Sequence, residues 1–205
     1  MNLHLAQLTQ DYPGLASCTA QIEKTYEILS TCFRSGGKLL LAGNGGSAAD
    51  CGHWAAELLK SFCKPRRLGL YNAQSFSTSL AEKLQGALPA IPLPSLTEFA
   101  TAWANDRDPE YVYAQGVLAL GRAGDTLAAL STSGNSANIL RAVETARSKG
   151  MKIIGLSGES GGELAVLCDE CICVPEREVY RVQQLHLPVY HCLCLMLEDE
   201  FFPES

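Results

Sequence analysis

Short apolar segments alternate with longer amphipathic segments along this 205-residue chain, and this alternation constrains the fold more than any other feature. Segments with the composition of buried β-strands occupy residues 38–42, 88–93, 125–130, 152–156 and 171–175. Segments with helical spacing occupy residues 47–62, 96–104, 109–120, 135–149 and 182–201. Apolar strands that alternate with helices are typical of a parallel sheet covered on both faces. The pattern therefore predicts one α/β domain over residues 1–205, with a doubly wound parallel sheet flanked by helices.

An amphipathic segment precedes the first predicted strand. Its apolar residues recur with the spacing of one helical face, at Leu15, Cys18, Ile22, Tyr26, Leu29 and Phe33. Because this segment lies outside the glycine-rich loops, we expect its apolar face to pack against another subunit. Residues 1–35 are thus predicted to form a long N-terminal oligomerisation helix. Residues 64–87 show no clear pattern and are predicted to be an insertion, to which the sequence assigns no role.

Composition restricts the partners and the compartment. The net charge of −6 provides no basic surface for nucleic acid, so an anionic substrate would have to be held by local groups. No apolar run is long enough for a membrane span, and the N-terminus lacks a signal-peptide pattern. Nine cysteines form no regular disulfide framework. Cys168, Cys171 and Cys173 lack a partner pair at zinc spacing and are expected to be small buried residues. These features favour a cytoplasmic protein.

Two polar loops follow predicted strands and precede predicted helices. The first is Gly43-Asn44-Gly45-Gly46-Ser47, and the second runs from Ser131 to Ser136 with three serines and a threonine. Glycine lets the backbone approach a ligand closely, and the free N–H groups at a helix start favour an anion. Neither loop matches a nucleotide-binding fingerprint. The pair therefore indicates a site for a small phosphorylated sugar.

Three of the four histidines lie in two short stretches. His53 precedes Glu57 by four residues, which places both side chains on one face of a helix. The second stretch contains Gln183, His186 and His191. An imidazole and a carboxylate at this spacing can bind a metal ion or share acid and base roles, and the sequence alone leaves both possibilities open.

Taken together, these motifs resemble those of a known family. The matching segments are residues 43–57, 101–106, 124–125, 131–138, 161–164 and 181–191. They resemble sugar isomerase (SIS) domains and, more closely, phosphoheptose isomerases, which interconvert sedoheptulose 7-phosphate and D-glycero-D-manno-heptose 7-phosphate. The resemblance implies a flavodoxin-like three-layer sandwich, a homotetramer with active sites between subunits, and in some members a bound Zn2+.

The resemblance also implies roles for individual residues. Those expected to contact the substrate are Asn44, Gly45, Gly46, Ser47, Asn105, Asp106, Ser131, Thr132, Ser133, Ser136 and Gln183. Those expected to bind zinc, where it is present, are His53, Glu57, Gln183 and His191. For aldose–ketose isomerisation we assign Glu57 as the base at carbon and His191 as the group serving the oxygens. A carboxylate bound to zinc is a poorer base, and the sequence does not decide between the two roles.

The chain also departs from the family pattern. Gln184 replaces a frequent glutamate, and Tyr180 stands where some members have an acidic residue near the substrate. These departures keep two alternatives open. One is a sugar-phosphate isomerase or sensor with a different substrate. The other is a non-catalytic SIS protein that binds the bacterial replication initiator, although such proteins are expected to lack Glu57 and His191.

Overall fold

The computed structural model describes residues 2–68 and 76–203, and within them parallel strands form one five-stranded sheet. The strand order is β2-β1-β3-β4-β5. The strands are β1 Leu39–Gly43, β2 Ala90–Pro92, β3 Thr126–Leu130, β4 Lys152–Ser157 and β5 Glu170–Cys173. All residues of β1 and β3 are buried, as expected for strands covered on both faces. The prediction of a doubly wound α/β fold is confirmed.

Helices cover both faces of this sheet. They are α1 Leu3–Asp11, α2 Thr19–Arg34, α3 Gly46–Leu59, α4 Thr97–Asp106, α5 Val112–Leu120, α6 Ala137–Ser148, α7 Gly162–Leu167 and α8 Val179–Phe201. Successive β1 side chains enter two separate cores, Leu39 and Leu41 one core, Leu40 and Ala42 the other. The first core includes α1, α2, α3 and α8, and the second includes α5 and α6. None of the described helices is both long and apolar enough to cross a membrane.

The N-terminal region differs from the prediction in two respects. Residues Pro13–Cys18 form a 3-10 helix, and α2 begins only at Thr19, so the region is not one long helix. The expectation that its apolar face packs against another subunit was wrong. Leu15, Ile22 and Leu29 are fully buried within the chain's own core, where α1 and α8 cover them. Helical spacing identifies an apolar face but does not say what covers it.

The predicted insertion, 64–87, is described on both sides of residues 69–75, which lie outside the described residues. Its start is anchored, because Arg66 is buried and its carbonyl oxygen accepts a 2.9 Å hydrogen bond from the backbone N–H of Gly86. A single helical turn spans Thr78–Ala81. In the cysteine-rich strand β5, Cys171 and Cys173 lie on one face with their sulfur atoms 3.8 Å apart.

Candidate active site

The two polar loops meet at one edge of the sheet. One follows β1 and the other follows β3, and the carboxyl ends of parallel strands open onto the same edge. Asn44 of the first loop and Asn138 of α6 exchange two side-chain hydrogen bonds of 2.9 Å each. These bonds connect the glycine loop to α6, the helix that follows the serine loop.

The glycine loop is shaped for close approach. Gly45 has a φ of 54°, in the region that favours glycine, and α3 begins at the next residue. Ser47, in the first turn of α3, is buried. The side chain of Gln183 lies directly against Gly46, since a Cβ atom at Gly46 would stand 2.6 Å from its Nε2. The structure thus brings Gln183 from α8 to this loop.

The serine loop presents hydroxyl groups around a compact turn. The Oγ atoms of Ser131 and Ser136 are 3.0 Å apart, and the Oγ of Ser133 accepts a 3.2 Å hydrogen bond from the backbone N–H of Asn135. Gly134 has a φ of 69° and packs so closely on the 161–162 turn that a Cβ there would overlap the carbonyl oxygen of Gly161. Thr132 and Ser133 line an open cavity of about 650 Å³.

The 161–162 turn is packed equally tightly against the serine loop. A Cβ on Gly162 would stand 2.5 Å from the carbonyl oxygen of Ser133 and 2.7 Å from Oδ1 of Asn135. The same Oδ1 accepts a 3.0 Å hydrogen bond from the backbone N–H of Glu163. The serine loop and the 161–162 turn therefore form one packed unit.

His53 and Glu57 form the predicted pair on α3. Nε2 of His53 lies 3.3 Å from Oε1 of Glu57, and Nζ of Lys60 lies 3.0 Å from the other carboxylate oxygen. The His53 side chain is 44% exposed, whereas that of Glu57 is 13% exposed. Glu57 is thus a largely shielded carboxylate between two nitrogen groups, and His53 faces the solvent side of the pair.

His191 approaches this pair from α8. Its ring centroid lies 5.0 Å from that of His53 and 5.1 Å from that of Phe62. Burial and the neighbouring His53 lower the pKa of His191, against an opposing effect of Glu57. Its Nε2 atom is buried and has no hydrogen-bond partner among the described residues. The structure therefore brings together His53, Glu57 and His191, with a neutral His191 that has one ring nitrogen available.

Two further residues contact this cluster and were missing from the predicted site. The hydroxyl of Tyr190 lies 3.0 Å from Nδ1 of His53 and 3.3 Å from Oδ1 of Asp50. When Tyr190 donates to His53, the His53 proton sits on Nε2, towards Glu57; when it donates to Asp50, Nε2 of His53 is left with a free lone pair. Asp50 precedes His53 by three residues, so helical spacing could have identified it, whereas Tyr190 requires the tertiary structure.

Two residues predicted to contact the substrate, and one of the histidines noted in the sequence, lie apart from the cluster. Asn105 and Asp106 are exposed at the end of α4, and their side chains hydrogen-bond each other at 2.8 Å. His186 is fully buried on another side of α8, where Nε2 lies 3.3 Å from the carbonyl oxygen of Ser157. Burial lowers the pKa of His186 to about 4. His186 is therefore a neutral structural residue.

The predicted zinc ligands have suitable donor chemistry, since imidazole nitrogen and carboxylate oxygen are common zinc ligands. The buried, unpartnered Nε2 of His191 beside His53 and Glu57 fits this role. Gln183, however, lies at the glycine loop. Across residues 2–68 and 76–203 no group of three or more histidine, cysteine, aspartate or glutamate side chains stands ready to hold a metal ion.

Comparisons with known proteins agree with this geometry. The sequence profile of the SIS domain family matches residues 15–158. The phosphoheptose isomerase of Rhodospirillum rubrum is 41% identical over 185 residues, which cover 90% of this chain and 88% of that protein. That of Thiobacillus denitrificans is 42% identical over 177 residues, covering 85% and 80%.

Solved structures give the same result. A phosphoheptose isomerase from Neisseria gonorrhoeae superimposes with a TM-score of 0.76 at 32% identity, covering 95% of this chain and 93% of that chain. One from Francisella tularensis gives a TM-score of 0.77 at 30% identity, covering 95% and 92%.

Proposed function

The chain belongs to the phosphoheptose isomerase family of SIS-domain proteins, and on that premise we propose that it interconverts sedoheptulose 7-phosphate and D-glycero-D-manno-heptose 7-phosphate. The observation that carries this proposal is the meeting of a shielded carboxylate, Glu57, with His53 and a neutral His191 between α3 and α8. The glycine loop at the start of α3 and the serine loop ahead of α6 lie at the carboxyl edge of the sheet, and their backbone N–H groups and hydroxyls suit a phosphate.

The reaction requires a base that moves a proton between neighbouring carbons and an acid that serves the two oxygens. We assign Glu57 as the base, and its shielding from water and its position beside His53 and Lys60 support this role. We assign His191 to exchange protons with the oxygens. Its lowered pKa favours the neutral imidazole, which donates from one nitrogen and accepts at the other. Lys60 and His53 offset negative charge that develops on an enediolate intermediate.

We also propose that the site binds Zn2+ through His53, Glu57 and His191. The unpartnered Nε2 of His191 supports this assignment. A bound zinc ion would supply Lewis acidity towards the substrate carbonyl. Metal analysis of protein purified without chelators, compared with His53→Ala, tests it. Absence of stoichiometric zinc from the parent protein, with no response of activity to added zinc, would overturn the zinc assignment and leave the metal-free acid–base reaction.

A homotetramer with shared active sites is a further part of the proposal. Leu59 on α3 and Leu187 on α8 are 48% and 37% exposed on the helices that carry Glu57 and His191. Burial of these side chains by a second copy would enclose the site, which in the single chain leaves His53 half open. Sedimentation of the parent protein tests the tetramer, and a monomer would contradict it. A cytoplasmic location is proposed from the nine free thiols.

The direct test of the function is turnover of sedoheptulose 7-phosphate by the purified protein, with and without zinc. Glu57→Gln should abolish turnover while substrate binding persists, because only the proton-accepting charge is lost. Glu163→Gln, an exposed glutamate on α7, is the matched control and should retain activity. Turnover by Glu57→Gln within tenfold of the parent would remove Glu57 from the role of base. Turnover of another sugar phosphate alone would transfer the proposal to that substrate.

A further inference from the structure

A buried ion pair connects the loop after α3 to helix α8. Nε of Arg66 lies 2.6 Å from Oε1 of Glu198, and their side chains are 0% and 1% exposed. Burial of two charges has a large desolvation cost, which is offset only when the remaining hydrogen-bonding groups are also satisfied. The contacts of this pair meet that condition, and they show what the pair holds in place.

Arg66 binds the end of the helix that carries Glu57. Its Nη2 donates to the carbonyl oxygen of Glu57 and its Nη1 to that of Leu58, both at 2.8 Å. These oxygens belong to the last turn of α3, where carbonyl groups lack partners within the helix. The guanidinium therefore acts as the C-terminal cap of α3, and one of the two carbonyls it holds is that of the proposed base itself.

Glu198 fixes the same turn from the other side. Its carboxylate accepts hydrogen bonds from the backbone N–H groups of Phe62, at 2.8 Å, and Cys63, at 2.9 Å. Glu198 lies two helical turns after His191 on α8, so both residues are on the same side of that helix. The pair thus ties the chain around Glu57 to the helix that presents His191.

From these contacts we propose that Arg66 is a positioning residue for the isomerase. Arg66 and Glu198, with their hydrogen bonds to residues 57–63, form a bracket that sets the distance between Glu57 and His191. The inference rests on the proposed function. Proton transfer depends steeply on geometry, and a misplacement of about 1 Å can reduce a rate by about 10²-fold. Rotation of the last turn of α3 would move the Glu57 carboxylate, whereas the glycine loop at the start of α3 would stay in place.

Arg66→Lys tests the bracket. Lysine retains the charge opposite Glu198, but all its N–H donors are on a single nitrogen atom. It therefore cannot bind Glu198 and both carbonyl oxygens in the geometry of the planar guanidinium. We expect kcat to fall by about tenfold to a hundredfold while KM changes by less than about threefold. In a Glu57→Gln background the same substitution should have no further effect on residual turnover, because the group that it positions is gone.

Asp125→Asn is the matched control for loss of stability. Asp125 is a fully buried carboxylate that lies just before β3, 2.5 Å from Nζ of Lys38, and it makes no contact with Arg66 or Glu198 among the described hydrogen bonds and ion pairs. The Asp125→Asn substitution should lower the free energy of unfolding and leave kcat unchanged. Equal losses of kcat in Arg66→Lys and Asp125→Asn would show a merely structural role and overturn the proposal, as would an unchanged kcat in Arg66→Lys. Glu198→Gln, which keeps the size of the side chain, provides a second variant should Arg66→Lys fail to fold.

A measurement without substrate separates this inference from the proposed function. Amide hydrogen exchange of residues 56–63 should accelerate in Arg66→Lys relative to the parent, while exchange in α6 stays unchanged. If the parent protein turns over no sugar phosphate, the proposed function fails, and the exchange result still decides whether the bracket fixes the end of α3. Unchanged exchange in residues 56–63 would overturn the bracket itself.

Discussion

Acidification should destabilise this protein through one buried histidine. His186 is fully buried in α8, and its pKa of about 4 lies well below the ordinary value of 6.5. Burial is the main cause, and the hydrogen bond to the carbonyl oxygen of Ser157 only partly opposes it. Below pH 6.5 the unfolded chain therefore takes up a proton that the folded chain resists until about pH 4. Stability falls with decreasing pH across this window and is unaffected by His186 above it.

The size of the effect follows from the two pKa values. Each pKa unit corresponds to about 1.4 kcal/mol, so the shift predicts a loss of about 2 kcal/mol of unfolding free energy between pH 7 and pH 5. Other ionisable groups also contribute to the pH dependence of stability, and comparison with a variant removes their contribution. His186→Gln preserves a nitrogen donor near Ser157 and does not titrate, so it should lack this part of the pH dependence.

Urea unfolding at pH 7 and pH 5 measures both proteins on one scale. The parent should lose about 2 kcal/mol more than His186→Gln over this interval. Equal losses in the two proteins would refute the reasoning, since they would show that the folded state accommodates a proton on His186 at little cost.

The remaining predictions concern the site and the core. Ser133→Ala combined with Ser136→Ala should weaken sugar-phosphate binding in calorimetry by about 1.5–3 kcal/mol for each lost bond to phosphate, and unchanged affinity would place the phosphate elsewhere. Ile22→Asp should lower the unfolding free energy by about 3 kcal/mol or more, because this side chain is fully buried, whereas Ala20→Asp on the exposed face should be tolerated in the same thermal melt. Gly46→Ala should retain the fold but displace the glutamine amide packed against it, with at least about a tenfold loss of kcat/KM. Full activity in Gly46→Ala would exclude that amide from catalysis.

Local pattern predicted the parts of the structure that depend on neighbours in sequence. The predicted strand 125–130 corresponds to Thr126–Leu130, and the four-residue spacing placed His53 beside Glu57. The covering of the 15–33 stripe was not predictable, because it depends on a helix at the other end of the chain. The Arg66–Glu198 pair likewise joins residues 132 positions apart. Spacing gives the face of an element, whereas its partner depends on the packing of the whole domain.

The packed unit of the serine loop and the 161–162 turn restricts how the substrate range of this enzyme could be engineered. Any side chain at Gly134 or Gly162 would strike the backbone of the facing turn, so a change at one position cannot be rescued by a change at the other. Libraries that randomise these glycines would therefore consist mostly of damaged proteins. Tyr180 is 56% exposed at the start of α8 and has no such constraint. Selection for other sugar phosphates should begin at Tyr180 and leave the glycine and serine loops intact.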